Sequence, residues 1–188
     1  SINSLTAEIT GRPVTISGSR LYDSTTTASS SILTITSGVS GESLSLTGSG
    51  VLGAASAGTQ TITNNNTLAI ADGSGGLASN YTLSGATINV TIIPRSLNVT
   101  LSREYDGTTS VSGASLTPTF DSLQGGETLA LSGTGSVSTA NVGSSKAVSL
   151  GSIALVAGSG NPSNYSLNSA TMNVTQRVIN LNGIRAYD

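Results

Sequence analysis

Cysteine, histidine and tryptophan are missing from this chain of 188 residues, and methionine and phenylalanine occur once each. Without cysteine or histidine there is no disulfide framework, no thiol nucleophile, no zinc finger and no Ser-His-Asp triad. Charge is also scarce. Only 9% of residues are Asp, Glu, Lys or Arg, against roughly 25% in an average soluble domain. Seven basic residues against nine acidic ones leave a net charge of -2, which excludes a basic nucleic-acid footprint. No run of about 20 apolar residues exists, so no membrane-spanning helix is expected.

What the chain does contain is hydroxyl: 34 Ser and 26 Thr, with 23 Gly. Such a composition suits a flexible linker or a mucin-like stalk. The apolar fraction of 36% and the small net charge point the other way, because disordered chains combine low hydrophobicity with high charge. The apolar residues also alternate. Val14-Thr15-Ile16-Ser17, Ile88-Asn89-Val90-Thr91-Ile92 and Leu97-Asn98-Val99-Thr100-Leu101 read as half-buried strands, with a period of two. Shorter runs at Leu44-Ser45-Leu46, Leu129-Ala130-Leu131 and Ile153-Ala154-Leu155 continue the pattern. β-Branched Thr fits the exposed face of a pleated sheet, so Ser and Thr read mainly as solvent-facing strand residues and Gly as turns. The chain is expected to be folded and all-β.

An internal repeat organises it. Arg12 to Asp23 (RPVTISGSRLYD), Arg95 to Asp106 (RSLNVTLSREYD) and Arg177 to Asp188 (RVINLNGIRAYD) align without a gap, and the motif Tyr residues stand at 22, 105 and 187. GESLSLTGSG from Gly41 matches GETLALSGTG from Gly126, and Asn80-Tyr81-Thr82-Leu83 matches Asn164-Tyr165-Ser166-Leu167. All six Arg and all five Tyr occupy repeat-equivalent positions, whereas Lys146 has no counterpart. The reading is therefore residues 12–94 as one repeat and 95–176 as a second. Residues 1–11 are the end strand of a preceding unit or a leader, and 177–188 the start of a third. About seven short strands per unit suit two tandem β-sandwich (Ig-like) repeats in an elongated array. A β-grasp-like mixed arrangement is the alternative.

Leu21-Tyr22-Asp23-Ser24-Thr25-Thr26 and Glu104-Tyr105-Asp106-Gly107-Thr108-Thr109 resemble the signature of YDG-type repeats. Ala140-Asn141-Val142-Gly143-Ser144-Ser145-Lys146-Ala147-Val148 and Asn164-Tyr165-Ser166-Leu167 are similar to later parts of that pattern. The first unit departs from it, with Ser24 in place of Gly and Ser56-Ala57-Gly58 in place of Asn-Val-Gly. The resemblance covers essentially the whole chain. These repeats and the related MBG-type modules occur in tandem in large secreted bacterial exoproteins and filamentous-haemagglutinin-like adhesins, which implies an extracellular, cell-surface setting and supplies no catalytic residue.

Several constellations are candidates for chemistry. Asp23 and Asp106 are calcium-ligand candidates, yet calcium takes about six to eight oxygens and the motif offers one Asp. A turn in which Asp accepts local backbone hydrogen bonds is the competing reading. The paired Arg residues, eight apart on one strand face and roughly 26 Å from end to end, are too far apart for one small anion site. They are expected to pair with Glu42, Glu127 or the motif Asp, or to pack their stems over Tyr. Lys146 raises an intramolecular isopeptide bond, which needs a buried Asn or Asp partner and an acid. Asn80-Tyr81 and Asn164-Tyr165 are sugar-stacking candidates against a reading as buried strand Tyr, and Tyr22, Tyr105, Tyr187 and Phe120 complete the aromatic inventory. Thr25-Thr26-Thr27 and Thr61-Ile62-Thr63 are too irregular for an ice-binding face. Asn89, Asn98 and Asn173 head N-x-T sequons, which carry little weight in a bacterial protein. Glu42 with Asp72 is a carboxylate pair only if folding brings the two together.

No residue is assigned a catalytic, cofactor-binding or metal-binding role, and no cofactor is expected. The expected function is non-catalytic: a structural repeat forming the stalk or spacer of a secreted or cell-surface bacterial adhesin in cell adhesion or biofilm formation. The alternative is a weak carbohydrate or exopolysaccharide module that gains avidity by repetition. Expected partners are adjacent repeats of the same chain, with polysaccharide or a cell surface reached through other regions. Nucleic acid, membrane insertion of this segment and self-association are not expected.

Overall fold

The structure, a computed structural model, describes residues 8–183. The boundary between its two units falls between Pro94 and Arg95. The first unit holds β1 (Arg12–Leu21), β2 (Thr27–Ser29), β3 (Leu33–Thr36), β4 (Leu44–Thr47), β5 (Ser49–Leu52), β6 (Gly58–Gln60), β7 (Ile62–Asn64), β8 (Ala69–Asp72) and β9 (Tyr81–Ile93). The second holds β10 (Arg95–Glu104), β11 (Ser110–Ser112), β12 (Thr119–Phe120), β13 (Leu129–Ser132), β14 (Thr134–Val137), β15 (Gly143–Ser149), β16 (Ala154–Ala157) and β17 (Tyr165–Thr175). Single 3-10 turns are the one other regular structure among the described residues. All-β tandem units are what the alternation anticipated.

The first unit holds a larger sheet with the small sheets β2-β5-β7 and β4-β8, and the second a larger sheet with the small sheet β13-β16. The larger sheet is mixed. In the first unit its order is β3-β1-β9-β6 and in the second β11-β14-β15-β17-β10-β12. The first and last strands of each unit lie side by side and parallel, β1 with β9 and β10 with β17. The parallel pair puts a mixed sheet at the centre of each all-β unit. The period-two pattern reports which face of a strand is buried, not which strand is its neighbour.

The core follows from that pairing. Val14 and Ile16 on β1 meet Ile88 on β9, with Leu33, Ile35, Leu44, Leu46 and Ile70 packed around them. In the second unit Val99 and Leu101 on β10 meet Ala170, Met172 and Val174 on β17, covered by Leu131 and Ile153. Leu97, Leu101 and Met172 have no exposed side-chain surface, and full burial of such a side chain contributes about 1.5–3 kcal/mol. Both parallel pairs carry a bulge. The register shifts between Pro13 and Thr15 in the first unit, where Pro13 lacks an N–H and Gly85 takes φ +71°. In the second it shifts between Leu97 and Asn98. Proline and glycine account for the first bulge only, since Leu97, Asn98, Leu167, Asn168 and Ser169 stand at the second.

The hydroxyls do more than face solvent. Thr128 and Ser159 exchange backbone-to-side-chain hydrogen bonds at 2.9 and 3.0 Å, fastening the loop before β13 to the one after β16. Ser43 with Ser74 and Thr134 with Ser152 make similar staples. Beside the last of these, Gly133 adopts φ +76° with the carbonyl oxygen of Ser152 only 2.0 Å from where a Cβ would sit, and Gly48 repeats this against Thr67 at 2.1 Å. These turns close only around glycine.

Residues 8–11 and 176–183 form no strand, and Ile9, Val178, Ile179 and Leu181 are exposed. A first strand is held here by the last strand of its own unit, and neither flanking segment has such a mate among the described residues. Arg185, Tyr187 and Asp188 lie outside the described residues.

Candidate functional site

Alternation places Arg12, Val14, Ile16, Gly18 and Arg20 on one face of β1, and Arg95, Leu97, Val99, Leu101 and Arg103 on one face of β10. An arginine therefore stands at each end of a core-facing apolar row. The C-terminal member of each pair closes the Tyr-Asp turn. Arg103 donates to the carbonyl oxygens of Thr108 and Ser110, both at 2.5 Å, and its Nη1 lies 3.3 Å from Asp106 Oδ2. Asp106 Oδ1 accepts from the Thr108 amide at 2.9 Å and its hydroxyl at 3.0 Å. Arg20, Asp23 and Thr25 repeat the clasp.

The turn reading of the Asp is thus the one the geometry shows, with the arginine as its lock. Ionisation of both aspartates is favoured. The Thr108 amide, ahead of its hydroxyl and Arg103, holds Asp106 below the ordinary aspartate range. For Asp23, partial burial opposes ionisation and is outweighed by Thr25 and Arg20 together. The two Tyr residues of the motif differ. Tyr22 is 3% exposed and Tyr105 is 41% exposed, a contrast the aligned motifs do not reveal.

The N-terminal arginines belong to a second recurring group. Arg12 is the register partner of Tyr81 and Arg95 that of Tyr165. The Tyr165 hydroxyl donates to Glu127 Oε2 at 2.6 Å and accepts from the Gln124 amide at 3.0 Å, and Tyr81 donates to Glu42. The bond to Glu42 raises the Tyr81 pKa, while burial first and Glu127 second raise that of Tyr165. Buried Ser37 ties the loop that presents Glu42, bonding Val39 and the Glu42 carbonyl. Tyr81 and Tyr165 are 8% and 5% exposed, and Asn164 is 4% exposed, so buried strand Tyr describes them rather than a sugar-stacking platform.

Other sequence candidates fall into structural places. Lys146 Nζ donates to the carbonyls of Thr139 and Asn141 at 2.5 and 2.6 Å, fixing the loop before β15. Its amine is engaged by these carbonyls and by the Thr139 hydroxyl, whereas an isopeptide bond requires a side-chain amide or carboxyl partner. Asn98 uses its whole carboxamide. It donates to Asp121 at 2.7 Å and accepts from Asn168 and Ser169 at the bulge. Asn173 accepts from the Ser145 amide. Thr25 sits in the Asp23 turn, and Thr63 donates to Val51. Glu42 is engaged by Tyr81, whereas Asp72 accepts from the Ala78 amide. Phe120 packs on the second core.

Two open cavities accompany these groups. In the first unit, Thr61, Ile62, Asn65, Leu83, Ala86 and Asn89 are among the residues around a cleft of about 300 Å³, beyond the end of the β6–β9 ladder. In the second, a cavity of about 350 Å³ lies beside the Tyr-Asp turn. Arg103, Asp106 and Thr108 of the turn line it together with Ser110, Ser112, Ser115 and Leu116. In the sequence these serines look like any others. Period two on β11 turns Ser110 and Ser112 away from buried Val111, and that local pattern is the signal that marks them.

The YDG domain matches the chain twice, over residues 6–89 and 92–172. No curated protein and no solved structure matches it. The two matches span most of the chain and take in both Tyr-Asp turns with their arginine clasps and both Tyr–Glu pairs, and this protein belongs to the YDG domain family as a tandem of two copies.

Proposed function

We propose that each unit is a tension-bearing spacer in a secreted or cell-surface bacterial adhesin, carrying a distal binding region away from the cell. The observation that supports this most directly is the parallel pairing of first and last strands. The chain enters the first unit at Arg12, opposite Tyr81, and leaves it at Ile93, opposite Leu21. Tension applied through the chain therefore pulls β1 and β9 in opposite directions along their common axis. Every backbone bond between them is loaded together in shear, instead of one at a time as in a peeling hairpin. The second unit repeats this over ten register pairs, from Arg95–Tyr165 to Glu104–Thr175.

The clasps support the same reading. Arg12 and Arg95 stand at the loaded ends of the first strands, and the Arg20 and Arg103 locks secure the turns that follow. The resemblance of these repeats to modules of large exoproteins supports the extracellular setting, and no step of this reading requires a catalytic group. Single-molecule stretching through the chain ends tests the reading. Unfolding in shear, at forces above those of strand peeling, is the expected result, and yielding at peeling forces would contradict it.

A further inference from the structure

We propose that the cavity beside the Tyr105-Asp106 turn of the second unit is a binding site for a single neutral sugar ring, and that the first unit lacks this site. The wall chemistry selects the ligand class. Asp106 commits Oδ1 to Thr108, while Oδ2 lies 3.3 Å from Arg103 Nη1 and the side chain is 45% exposed. That oxygen is an ionised acceptor open to a hydroxyl donor. Ser112 and Ser115 share a contact of 3.1 Å and Ser110 lines the same wall, supplying groups that both donate and accept. Leu116 adds an apolar patch suited to the C–H face of a ring. Tyr105 is exposed in the same turn, with its phenol oxygen 3.9 Å from where a Cβ on Gly107 would sit.

Other ligand classes fit less well. Arg103 turns both terminal nitrogens toward backbone carbonyls, and the adjacent carboxylate repels an anion. A divalent cation would find one carboxylate where it needs several oxygens. The volume of about 350 Å³ sits at the small end of the ~300–1,000 Å³ usual for ligand pockets.

The first unit supplies an internal control. In the ungapped alignment Thr27, Ile32 and Ser24 replace Ser110, Ser115 and Gly107. The apolar Ile32 removes one hydroxyl of the wall, and Tyr22, which matches Tyr105, is buried. The clasp itself is common to both units, so binding is an added property of the second and does not depend on the spacer reading.

The test is amide and side-chain NMR of the whole chain, titrated with methyl glycosides of glucose, galactose, mannose and N-acetylglucosamine, and separately with calcium and with inorganic phosphate. At least one glycoside is expected to give saturable millimolar shifts at Asp106, Ser110, Ser112 and Ser115 and none at Asp23, Thr27 and Ser29. Ser115→Ile, which copies the first unit, is expected to weaken binding by about tenfold or more with the thermal transition unmoved. Ser115→Thr, which keeps the hydroxyl, is expected to retain it. Three results would overturn the site: no saturable shift with any glycoside, equal shifts in both units, or shifts at these residues with calcium or phosphate alone. Unchanged affinity in Ser115→Ile would do the same.

Discussion

Arg95 and Tyr165 form the first register pair of the parallel strands β10 and β17, 70 residues apart in the chain. Arg12 and Tyr81 stand in the same relation in the first unit. The chain's few Arg and Tyr residues thus mark where each unit begins and where its last strand returns. The Tyr165 hydroxyl extends the join to a third segment through Glu127 and the Gln124 amide.

Tyr165→Phe removes that hydroxyl and leaves Gln124 and Glu127 without it. The expected cost is about 1–2 kcal/mol, read from urea unfolding of the second unit. A change within error would mean the loop is held by other contacts.

The aspartate and tyrosine shifts set opposite edges to the stability profile. Asp23, Asp106 and Asp121 have depressed pKa values in the fold, the last chiefly from the Asn98 amide. Their stabilisation is complete above the unfolded value of about 3.9 and is lost as pH falls through the lower folded values. Tyr81 and Tyr165 have raised values, so theirs is complete below about pH 10 and is lost as pH rises beyond it. With no histidine in the chain, the melting temperature is expected to stay nearly flat from about pH 5 to 9. A titration in melting temperature near neutrality would contradict this.

The repeat, the all-β class and the buried faces were legible because alternation fixes them. Ile16, Leu97, Val99 and Leu101 are buried as their pattern requires. The parallel neighbours were not legible, since β9 would alternate identically beside any strand. Among the site residues, the partnership of motif Arg and motif Asp was one of the pairings the spacing allowed, and the geometry selects it for Arg20 and Arg103. The exposure of Tyr105 and burial of Tyr22 depend on surroundings that the shared motif does not encode. The staples between Thr128 and Ser159 join segments far apart in the chain, where composition suggests only solvent-facing hydroxyls.

Glycines in the same backbone region are expected to differ sharply in tolerance. Gly133→Ala drives a Cβ into the Ser152 carbonyl, whereas Gly126→Ala, at φ +72°, meets nothing within 4 Å. The second change costs about 1 kcal/mol of left-handed strain, and the first at least about 2 kcal/mol, because backbone must also move. Equal destabilisation in thermal melts would contradict the close approach.

The Arg103 lock depends on a planar fork reaching two carbonyls. Arg103→Lys retains the charge but not the fork, so about 1–3 kcal/mol is expected to be lost. Faster exchange of amides in the 104–110 turn, followed by hydrogen exchange, is the local signature. Unchanged protection there would assign the turn's stability to Asp106 and Thr108 alone.

Shear loading of the paired first and last strands is what the spacer function depends on most. Single-molecule stretching can apply force along two directions in the same unit, because introduced cysteines have no native competitor. Through the chain ends, each unit is expected to give its own step of about 26 nm. That is ~82 residues at ~3.6 Å each, less a folded span of ~30 Å. Handles in a Thr47→Cys, Ala69→Cys variant instead peel β4 from β8 at the end of their ladder. A clearly higher unfolding force is expected through the ends than across that pair. Equal forces in the two directions, or one step for the whole chain, would contradict it.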